Sequence, residues 1–417
     1  MITPRFPEQG AAPHDVFAEM ESARRDDVDW RRGRLGLYVH YAGEDVLAVA
    51  KEAYARFFSE NALGPKAFPS LKRFEDDIVA WTADLLQGGA DSTGVVTSGG
   101  SESIFLALKT ARDWARVVRP GITAPEIVAP ISAHPAFDKA AHYLCMIVRR
   151  VPLRPDFRAD VGAMAAAVSP ATIMVVGSAP AFPHGVIDPI QDLAALALKR
   201  DLWMHVDACV GGFLAPFARR LGYPIPPFDF EVAGVRSMSA DLHKYGFSAK
   251  GASVMLLAQK ALRDHLVFEF DNWPRGKYAS PTFAGTRPGG AIAAAWAVMR
   301  YLGTDGYLRL ARAIMGARDR LVEAIGAIDG IHVVGDPDLS VIGFGSRELD
   351  IFAVAEQMTQ AGWFVSTMSE PPGIHLGMPT MAHVPHIEEY LTDLAAAVAA
   401  VRSGGLTART RDVSYGG

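Results

Sequence analysis

The sequence contains few cysteines and no long apolar run. Only two of its 417 residues are cysteines, Cys145 and Cys209, and their spacing does not suggest the disulfide framework of a secreted domain. The longest apolar runs, such as "AIAAAWAVM" at residues 291–299, are far shorter than the ~20 residues of a membrane-spanning helix. The opening stretch "MITPRFPEQGAAPHD" lacks the apolar core of a signal peptide. We therefore expect reduced thiols, no transmembrane span and a cytoplasmic location.

The chain also lacks an excess of positive charge. It has 41 lysines and arginines against 46 aspartates and glutamates, a net charge of −5, so nucleic acid is not expected as a partner. Half of the residues are hydrophobic and 21% are charged, which is ordinary for a globular protein. Histidines and carboxylates do not recur at metal-ligand spacing, so no metal is expected. At about 100–200 residues per domain, the length indicates two or three domains.

Strand-like apolar runs alternate with amphipathic helices through the middle of the chain. The strand-like runs are "TGVVTS", "EIVAP", "ATIMVVGS", "LWMHVDA", "VRSMSAD" and "GASVMLLA". Helical patterns occupy residues 103–118, 135–143 and 190–199. Continuous apolar strands that alternate with helices predict an α/β fold, in which a mostly parallel sheet is covered by helices on both faces.

The texture of the sequence changes near residue 291. Helical patterns at residues 291–301, 307–328, 351–361 and 387–401 accompany the strand-like runs "GIHVVG" and "LSVIGFGS". We therefore expect a smaller α+β domain at residues 291–417, after a large domain at residues 61–290. Residues 1–60 are mainly helical in pattern and are expected to join the small domain or a partner subunit.

Two short patterns in the large domain suggest anion and ring binding. Gly100 and Ser101 lie in "TSGGSES", which follows a strand and opens a helix. Free N–H groups and the helix dipole make such a turn a candidate phosphate cradle, although a simple capped helix start is the alternative. His134 follows the strand "EIVAP", where it is either structural or a ligand-facing ring.

Two further patterns place an acid and an amine at strand ends. Asp207 ends the apolar strand "LWMHVDA", where it could be a helix cap, a metal ligand or the partner of a buried cation. Lys244 follows His243 in "SADLHKYGFSAK", in which Ser239 and Asp241 are expected to shape the turn. Pyridoxal phosphate needs this set: an amine for covalent attachment, a carboxylate at the pyridine nitrogen and donors for the phosphate. His243 would face the phosphate or the substrate.

Six longer motifs carry a resemblance to a known family. They are "FPSLKRFEDDIV", "TSGGSESI", "GSAPAFPHGVIDPI", "HVDACVGGF", "SADLHKYGFSAKG" and "YASPTFAGTRPGG". With these motifs the region 38–290 resembles the group II pyridoxal-phosphate decarboxylase superfamily, and within it the sphingosine-1-phosphate lyases most closely. The resemblance implies the fold type I, aspartate-aminotransferase-like architecture, pyridoxal 5'-phosphate as cofactor, and a homodimer with active sites shared between subunits.

The resemblance also implies roles for individual residues. Lys244 matches the lysine that binds the cofactor covalently, Asp207 the aspartate on the pyridine nitrogen, and His134 the histidine stacked on the ring. Gly100, Ser101 and His243 are implied to contact the cofactor phosphate. Cys209 is implied to lie under the ring and Ser178 near the ring hydroxyl. Gly285 and Thr286 are implied to reach the cofactor phosphate of the partner subunit.

The implied activity is cleavage of the Cα–Cβ bond in a phosphorylated 2-amino-3-hydroxy substrate, such as a sphingoid base phosphate. The products would be an aldehyde and phosphoethanolamine, and Lys250 matches a lysine that lyases use on the substrate phosphate. Two alternatives stay open. One is an amino-acid decarboxylase on the same scaffold, and the other is a cofactor-binding protein without turnover that acts through its dimer surface.

The sequence departs from the lyase pattern on the substrate side. In "VHYAGED" His40 and Tyr41 stand in the reverse of the usual order, with Ala42 in place of a glycine. In "NALGPKAFP" Asn61 is kept, but Gly64 replaces a histidine. Nearby Lys66 either restores a cation or is a surface lysine. We therefore expect His40, Tyr41 and Asn61 to bind substrate with Lys250, and these departures leave the identity of the substrate open.

Overall fold

The computed structural model describes residues 6–414. Residues 1–5, where the predicted N-terminal segment begins, and residues 415–417, where the predicted small domain ends, lie outside the described residues. The prediction of no signal peptide also falls partly on residues 1–5. Within residues 6–414 no helix is both long and apolar enough to cross a membrane.

A seven-stranded sheet forms the centre of the fold. Its strands, in spatial order, are β1 (Thr93–Thr97), β7 (Ser253–Leu257), β6 (Val235–Ala240), β5 (Trp203–Asp207), β4 (Thr172–Ser178), β2 (Glu126–Pro130) and β3 (Ile147–Val151). Strand β7 runs antiparallel to both of its neighbours, and the pairs from β6 to β3 are parallel. The prediction of a mostly parallel α/β sheet is confirmed.

Helices cover this sheet and explain its composition. They are α4 (Gly100–Val118), α5 (Ala136–Tyr143), α6 (Val161–Ala167), α7 (Ile190–Arg200) and α8 (Ala215–Arg220). Every residue of β4 and β5 is buried, because strands covered on both faces have no solvent side. The predicted helices at 103–118, 135–143 and 190–199 correspond to α4, α5 and α7.

Three helices precede the sheet, namely α1 (Pro13–Ala23), α2 (Glu44–Arg56) and α3 (Pro69–Leu85). Helix α1 has no buried residue. Between α1 and α2 the backbone of Leu35 pairs with that of Phe364, and the Phe364 N–H donates to Arg34 O at 2.9 Å. The N-terminal segment thus packs on the C-terminal part of the same chain.

The C-terminal part is an α+β unit. A long helix, α9 (Gly289–Ala327), is broken at Gly303, whose φ of 53° and ψ of −172° are not helical. Its two halves correspond to the predicted helices 291–301 and 307–328. Strands β10 (His332–Val333), β11 (Ile342–Gly345), β12 (Ser366–Ser369) and β13 (Pro372–Gly377) form an antiparallel sheet beside α10 (Ile351–Gln360) and α11 (Ile387–Gly404). The domain boundaries at 60/61 and 290/291 stay predictions.

Between the two units the chain makes a two-stranded hairpin of β8 (Phe268–Phe270) and β9 (Tyr278–Ser280). All three residues of β8 are exposed.

The sheet brings the predicted site residues together at the carboxyl ends of its strands. Ser178 and Asp207 end the neighbouring strands β4 and β5 and pair with each other, and Asp207 in turn pairs with Ser239 on β6. The turn that follows β1 opens helix α4 at this same edge. Ligands of open α/β sheets bind outside the carboxyl ends of the strands, so the fold supports a site here.

Candidate active site

The turn between β1 and α4 presents backbone donors to a cavity. The N–H groups of Glu102 and Ser103 both donate to Gly99 O at 3.0 Å. The first N–H groups of a helix have no partner inside the helix, so the N–H groups that precede Glu102 in this turn are left for a ligand. A Cβ on Gly100 would lie 2.8 Å from Cys209 Sγ and 3.0 Å from both Asp241 carboxylate oxygens. Only glycine therefore fits at the first helical position, and the turn can approach a bound anion closely.

Asp207 lines the cavity, and within residues 6–414 only one of its carboxylate oxygens has a hydrogen-bond partner. Its Oδ1 accepts hydrogen bonds from Cys209 N–H at 3.1 Å and from the Ser239 hydroxyl at 3.2 Å. Both contacts use the same oxygen, which leaves Oδ2 for a ligand in the cavity that Asp207 lines. Since the side chain is only 8% exposed, a cationic ring nitrogen in the cavity would find a carboxylate that is already oriented.

Lys244 forms a buried ion pair with Asp241. Its Nζ lies 2.9 Å from Asp241 Oδ2, and the side chains are 23% and 2% exposed. Burial alone would lower the pKa of the Lys244 amine, but the neighbouring groups together, Asp241 first among them, raise that pKa above its ordinary value. Burial opposes the ionisation of Asp241, yet the charges of Lys244 and His243 lower its pKa. Asp241 also shapes the turn as predicted, because its carbonyl accepts from Lys244 N–H at 3.3 Å.

His134 and Ser178 line the cavity beside Asp207. The Ala136 N–H donates to His134 Nδ1 at 3.1 Å, so this nitrogen is an acceptor, and burial lowers the pKa of the ring. Ser178 N–H donates at 2.8 Å to Asp188, a buried carboxyl whose pKa burial raises to about 6. A neutral imidazole anchored in this way is suited to stack on a planar ligand.

Two further basic side chains, Lys250 and His40, interact electrostatically with Lys244 but do not line this cavity. Lys250 Nζ donates to His243 O at 3.1 Å. Although Lys250 is exposed as a whole, protein atoms crowd its amine, and this desolvation together with the charge of Lys244 lowers its pKa to about 8. Both ring nitrogens of His40 are buried without a hydrogen-bond partner among residues 6–414. Burial, and then the charges of Lys250 and Lys244, lower the pKa of His40 well below its ordinary value.

These placements divide the predicted site residues into two sets. One cavity of about 360 Å³ is lined by eight of the ten predicted cofactor residues: Gly100, Ser101, His134, Ser178, Asp207, Cys209, His243 and Lys244. The residues that line it do not include Gly285, Thr286, Lys250, His40, Tyr41 or Asn61. The first set therefore forms one site within the chain, and the second set lies outside it.

Asn61 and Thr286 share a separate patch. Asn61 Nδ2 donates to Thr286 Oγ1 at 3.3 Å, and Arg287 N–H donates to Asn61 Oδ1 at 3.1 Å. Arg287 is held in place by an ion pair of 2.6 Å with Glu75. Gly285 precedes this patch along the chain. These polar contacts hold the patch in place, and none of its residues lines the cavity described above.

Tyr41 and Gly64 also lie away from the cavity. The Tyr41 hydroxyl donates to Glu44 Oε1 at 3.0 Å, and its ring meets Trp30 edge-on. A Cβ on Gly64 would make only ordinary contacts, the nearest being Ala67 Cβ at 3.7 Å, so a larger side chain would fit there. Lys66 is exposed, as expected for a surface lysine.

Sequence reasoning did not assign two acidic residues of the cavity, Asp241 and Glu102, to the site. Asp241 was assigned to the turn alone, although its spacing of three residues from Lys244 in a tight turn was a signal that the two side chains meet. Glu102 also lines the cavity. Its Oε2 accepts from Ser98 N–H at 2.6 Å and its Oε1 from Phe283 N–H at 2.9 Å. Glu102 therefore ties the helix start to the segment that leads to Thr286.

The chemistry of the cavity fits pyridoxal phosphate. It contains the amine of Lys244, the carboxylate of Asp207 and a glycine turn with backbone donors. Two buried polar atoms, Asp241 Oδ1 and His243 Nδ1, have no hydrogen-bond partner within the described part of the chain. A volume of about 360 Å³ falls in the range of small-molecule sites. Among residues 6–414 there is no group of three or more histidines, cysteines and carboxylates that could hold a metal.

Comparison with known proteins defines the class. The pyridoxal-dependent decarboxylase conserved domain matches residues 30–347, so the chain belongs to the pyridoxal-dependent decarboxylase family. Within that class, a sphingosine-1-phosphate lyase from Arabidopsis thaliana is 44% identical over 397 residues, which are 93% of this chain and 72% of the relative. A solved sphingosine-1-phosphate lyase from Burkholderia pseudomallei is 38% identical with a TM-score of 0.92, over 97% of this chain and 94% of that one.

The family also contains decarboxylases. A probable L-tyrosine/L-aspartate decarboxylase from Methanothermobacter thermautotrophicus is 33% identical over 346 residues, which are 83% of this chain and 93% of the relative. These comparisons confirm the predicted fold type I architecture, the cofactor pyridoxal 5'-phosphate and the assignment as a lyase-class enzyme. The alternative of a binding protein without turnover is therefore set aside.

Proposed function

We propose that this protein is an aldehyde-lyase of the sphingosine-1-phosphate lyase type. It cleaves the Cα–Cβ bond of a phosphorylated 2-amino-3-hydroxy substrate and releases an aldehyde and phosphoethanolamine. The observation that carries the proposal is the pairing of two amines in one turn. Lys244 lines the cavity, and the amine of Lys250 lies behind it with a pKa lowered in part by the charge of Lys244. A site with a second cation suits a substrate that carries its own phosphate.

Bound pyridoxal phosphate supplies an electron sink for the bond that breaks. The proposed work of the chain is to hold that group and position the substrate. Lys244 would provide the amine for covalent attachment, and Asp241 beside it orients that amine. Asp207 would keep the pyridine nitrogen protonated through Oδ2, because a carboxylate there favours the charged ring. His134 would pack on the ring.

The proposed substrate phosphate site consists of Lys250 and His40. The unpaired ring nitrogens of His40 and its electrostatic contact with Lys250 support this role, since an anion would satisfy both groups. Binding a doubly charged phosphate would raise the pKa of each of them. The side chains of Tyr41 and Asn61 contact Glu44 and Thr286 instead, so we assign these two residues to the substrate side across a subunit interface.

We also propose a homodimer that completes each site. The segment before Thr286 exposes large apolar side chains, with Phe270 48%, Trp273 47% and Phe283 72% exposed. Apolar surface of this kind on one segment is typical of an interaction site. In a dimer this surface would be covered, and the patch of Asn61, Gly285 and Thr286 would reach the cofactor phosphate of the partner.

A cytoplasmic location is part of the same proposal. Its support is that Cys145 and Cys209 are both free thiols, as expected in a reducing compartment.

Product analysis tests the proposed reaction. The purified protein is incubated with a phosphorylated sphingoid base, and the aldehyde and phosphoethanolamine are measured by mass spectrometry. We expect both products in equal amounts, and neither product from the Lys244→Ala variant. The dephosphorylated base is the matched control and should react far more slowly. Absence of aldehyde from every phosphorylated amino alcohol would contradict the proposal.

Amino-acid decarboxylation is the second candidate. It is favoured by the 33% identity to a probable decarboxylase over 93% of that relative, and Lys250 could bind a substrate carboxylate instead of a phosphate. Release of carbon dioxide from amino acids, without aldehyde from amino alcohols, would establish it in place of the lyase.

A further inference from the structure

Behind Asp207 lies a continuous chain of hydrogen bonds between buried side chains. The indole N–H of Trp203 donates to Ser237 Oγ at 2.7 Å, and Ser237 Oγ lies 2.8 Å from His205 Nδ1. His205 Nε2 lies 3.4 Å from Ser239 Oγ, which donates at 3.2 Å to Asp207 Oδ1. Apart from Asp207, each of these residues has no exposed surface. Solvent therefore does not reach the chain between the indole and the carboxylate.

The two ends of this chain fix its direction. An indole N–H can only donate, and an ionised carboxylate can only accept. Because Ser237 Oγ accepts from the indole, its own hydrogen is available for His205 Nδ1. Ser239 gives its hydrogen to Asp207 and can therefore only accept from His205 Nε2. In the neutral ring Nε2 then carries the hydrogen, and Nδ1 accepts from Ser237. Ser239 in turn points its hydrogen at Asp207, and every bond runs the same way.

We propose that His205 is a positioning residue, held in the Nε2–H tautomer by Trp203 so that the Ser239 hydroxyl is always directed at Asp207 Oδ1. This holds Oδ1 and leaves Oδ2 to the cofactor nitrogen. The tautomer assignment depends only on the chain itself, whereas its consequence for the cofactor rests on the proposed role of Asp207.

The local chemistry supports this arrangement. Burial lowers the pKa of His205 to about 4, so the ring is neutral at neutral pH. The Cys209 thiol also donates to Ser239 Oγ, at 3.3 Å. Ser239 thus accepts two hydrogen bonds and donates one, which is the full capacity of a hydroxyl. If His205 held its hydrogen on Nδ1, Nε2 would compete with Asp207 for the hydrogen of Ser239.

The alternative is an ordinary core histidine whose hydrogen bonds only satisfy buried atoms. In that case the tautomer of His205 would not depend on Trp203, which is three hydrogen bonds away from Ser239. Trp203 and Trp114 provide a matched pair that separates the two explanations. Their rings pack edge to face at 5.8 Å between centroids, and Trp114 is also buried, at 7% exposure, but it has no part in the chain.

The test reads the tautomer directly in the cofactor-free protein. With 15N-labelled histidine, NMR distinguishes a ring nitrogen that carries hydrogen from one that does not. We expect His205 as the Nε2–H tautomer in the parent and in Trp114→Phe. In Trp203→Phe the fixed donor is gone, so we expect a mixture of both tautomers. Ser237→Ala interrupts the same series of hydrogen bonds with a smaller change in volume, and it should also give a mixture of both tautomers. It therefore replaces Trp203→Phe in the test if that variant folds poorly.

A second measurement follows the consequence. Cofactor affinity, measured by titration of the cofactor-free variants, should fall about tenfold in Trp203→Phe, or about 1.4 kcal/mol, and should not change in Trp114→Phe. An Nδ1–H tautomer in the parent, or an unchanged Nε2–H tautomer in both Trp203→Phe and Ser237→Ala, overturns the inference. Equal affinity losses in the two tryptophan variants also overturn it, because they would show a packing effect.

The proposed role of Asp207 is tested separately. If Asp207→Asn binds the cofactor as tightly as the parent does, that role fails, while the tautomer result still decides whether Trp203 directs the chain.

Discussion

The ion pair between Lys244 and Asp241 gives the most quantitative prediction. Removing one partner of a buried pair leaves an uncompensated charge and typically costs about 3–5 kcal/mol. The unfolding entropy of 417 residues is about 0.9 kcal/mol per kelvin at ~2.1 cal/mol/K per residue. A single Lys244→Met substitution in the cofactor-free protein should therefore lower Tm by roughly 3–6 °C. Asp241→Asn should cost less, because the Lys244 side chain that it leaves unpaired is 23% exposed, whereas Asp241 is only 2% exposed.

A double-mutant cycle isolates the pair from other effects of the two substitutions. In the variant with both Lys244→Met and Asp241→Asn no charge is left unpaired, so it should be more stable than the sum of the single losses by about 2 kcal/mol or more. The exposed pair of Lys72 and Asp76, at 2.5 Å, is the control cycle, and its coupling should be below about 1 kcal/mol. Thermal unfolding of the cofactor-free parent and of the three variants in each cycle measures both couplings. Additive losses at Lys244 and Asp241 would refute the ion pair.

The pH dependence of the same cycle has a definite sign. The folded-state pKa of Asp241 is lowered, so its contribution is present above about pH 4 and is lost as the pH falls through the folded pKa. The folded-state pKa of Lys244 is raised, so its contribution is present below about pH 10 and is lost as the pH rises. The coupling should be level between roughly pH 5 and 9. A coupling that fell steadily across this interval would contradict the assignment.

Three further predictions concern the reaction. Asp207→Asn should lower turnover by several powers of ten, or about 4 kcal/mol or more of barrier; steady-state kinetics would show a loss below tenfold if Asp207 is only structural. Lys250→Ala should cost about 1.5–3 kcal/mol in kcat/KM on a phosphorylated substrate and nothing on its dephosphorylated form. Because the pKa of Lys250 is about 8, the preference of the parent for the phosphorylated substrate, measured as kcat/KM, should decline above pH 8. The kcat/KM of the Lys250→Ala variant should show no such decline. Mixing a Lys244→Ala chain with a Thr286→Val chain should restore activity through hybrid dimers with one native site, and verified chain exchange without recovery would exclude a shared site.

The strand ends that build the site could be predicted from the sequence because they are buried. Strands β4 and β5 are continuous apolar runs, and each ends at a polar residue, Ser178 or Asp207. Edge strand β3 was missed, because Arg149 and Arg150 interrupt its apolar pattern and its residues are partly exposed. Charged residues are common on edge strands, since they discourage pairing with other chains. Periodicity therefore identified the centre of the sheet better than its edge.

Contacts between distant segments could not be predicted from the sequence. The series of hydrogen bonds that leads from Trp203 to Asp207 depends on the register of β5 against β6, which pairs Asp207 with Ser239. No local pattern sets that register. Thr286 poses a different problem, because its proposed ligand belongs to another subunit. Asp241 was the closest to prediction: its spacing from Lys244 was visible, but the geometry of the turn was needed to show that the side chains meet.

One isotope measurement tests the proposed reaction most directly. The protein is incubated in D2O with a phosphorylated 2-amino-3-hydroxy substrate, and both products are analysed by mass spectrometry. Cleavage of the Cα–Cβ bond sends the hydroxyl proton to solvent, and the amine-bearing carbon takes one deuteron in return. We expect phosphoethanolamine with one carbon-bound deuterium and an aldehyde with none. Carbon dioxide from amino acids, with no deuterated phosphoethanolamine and no aldehyde, would contradict the proposed lyase.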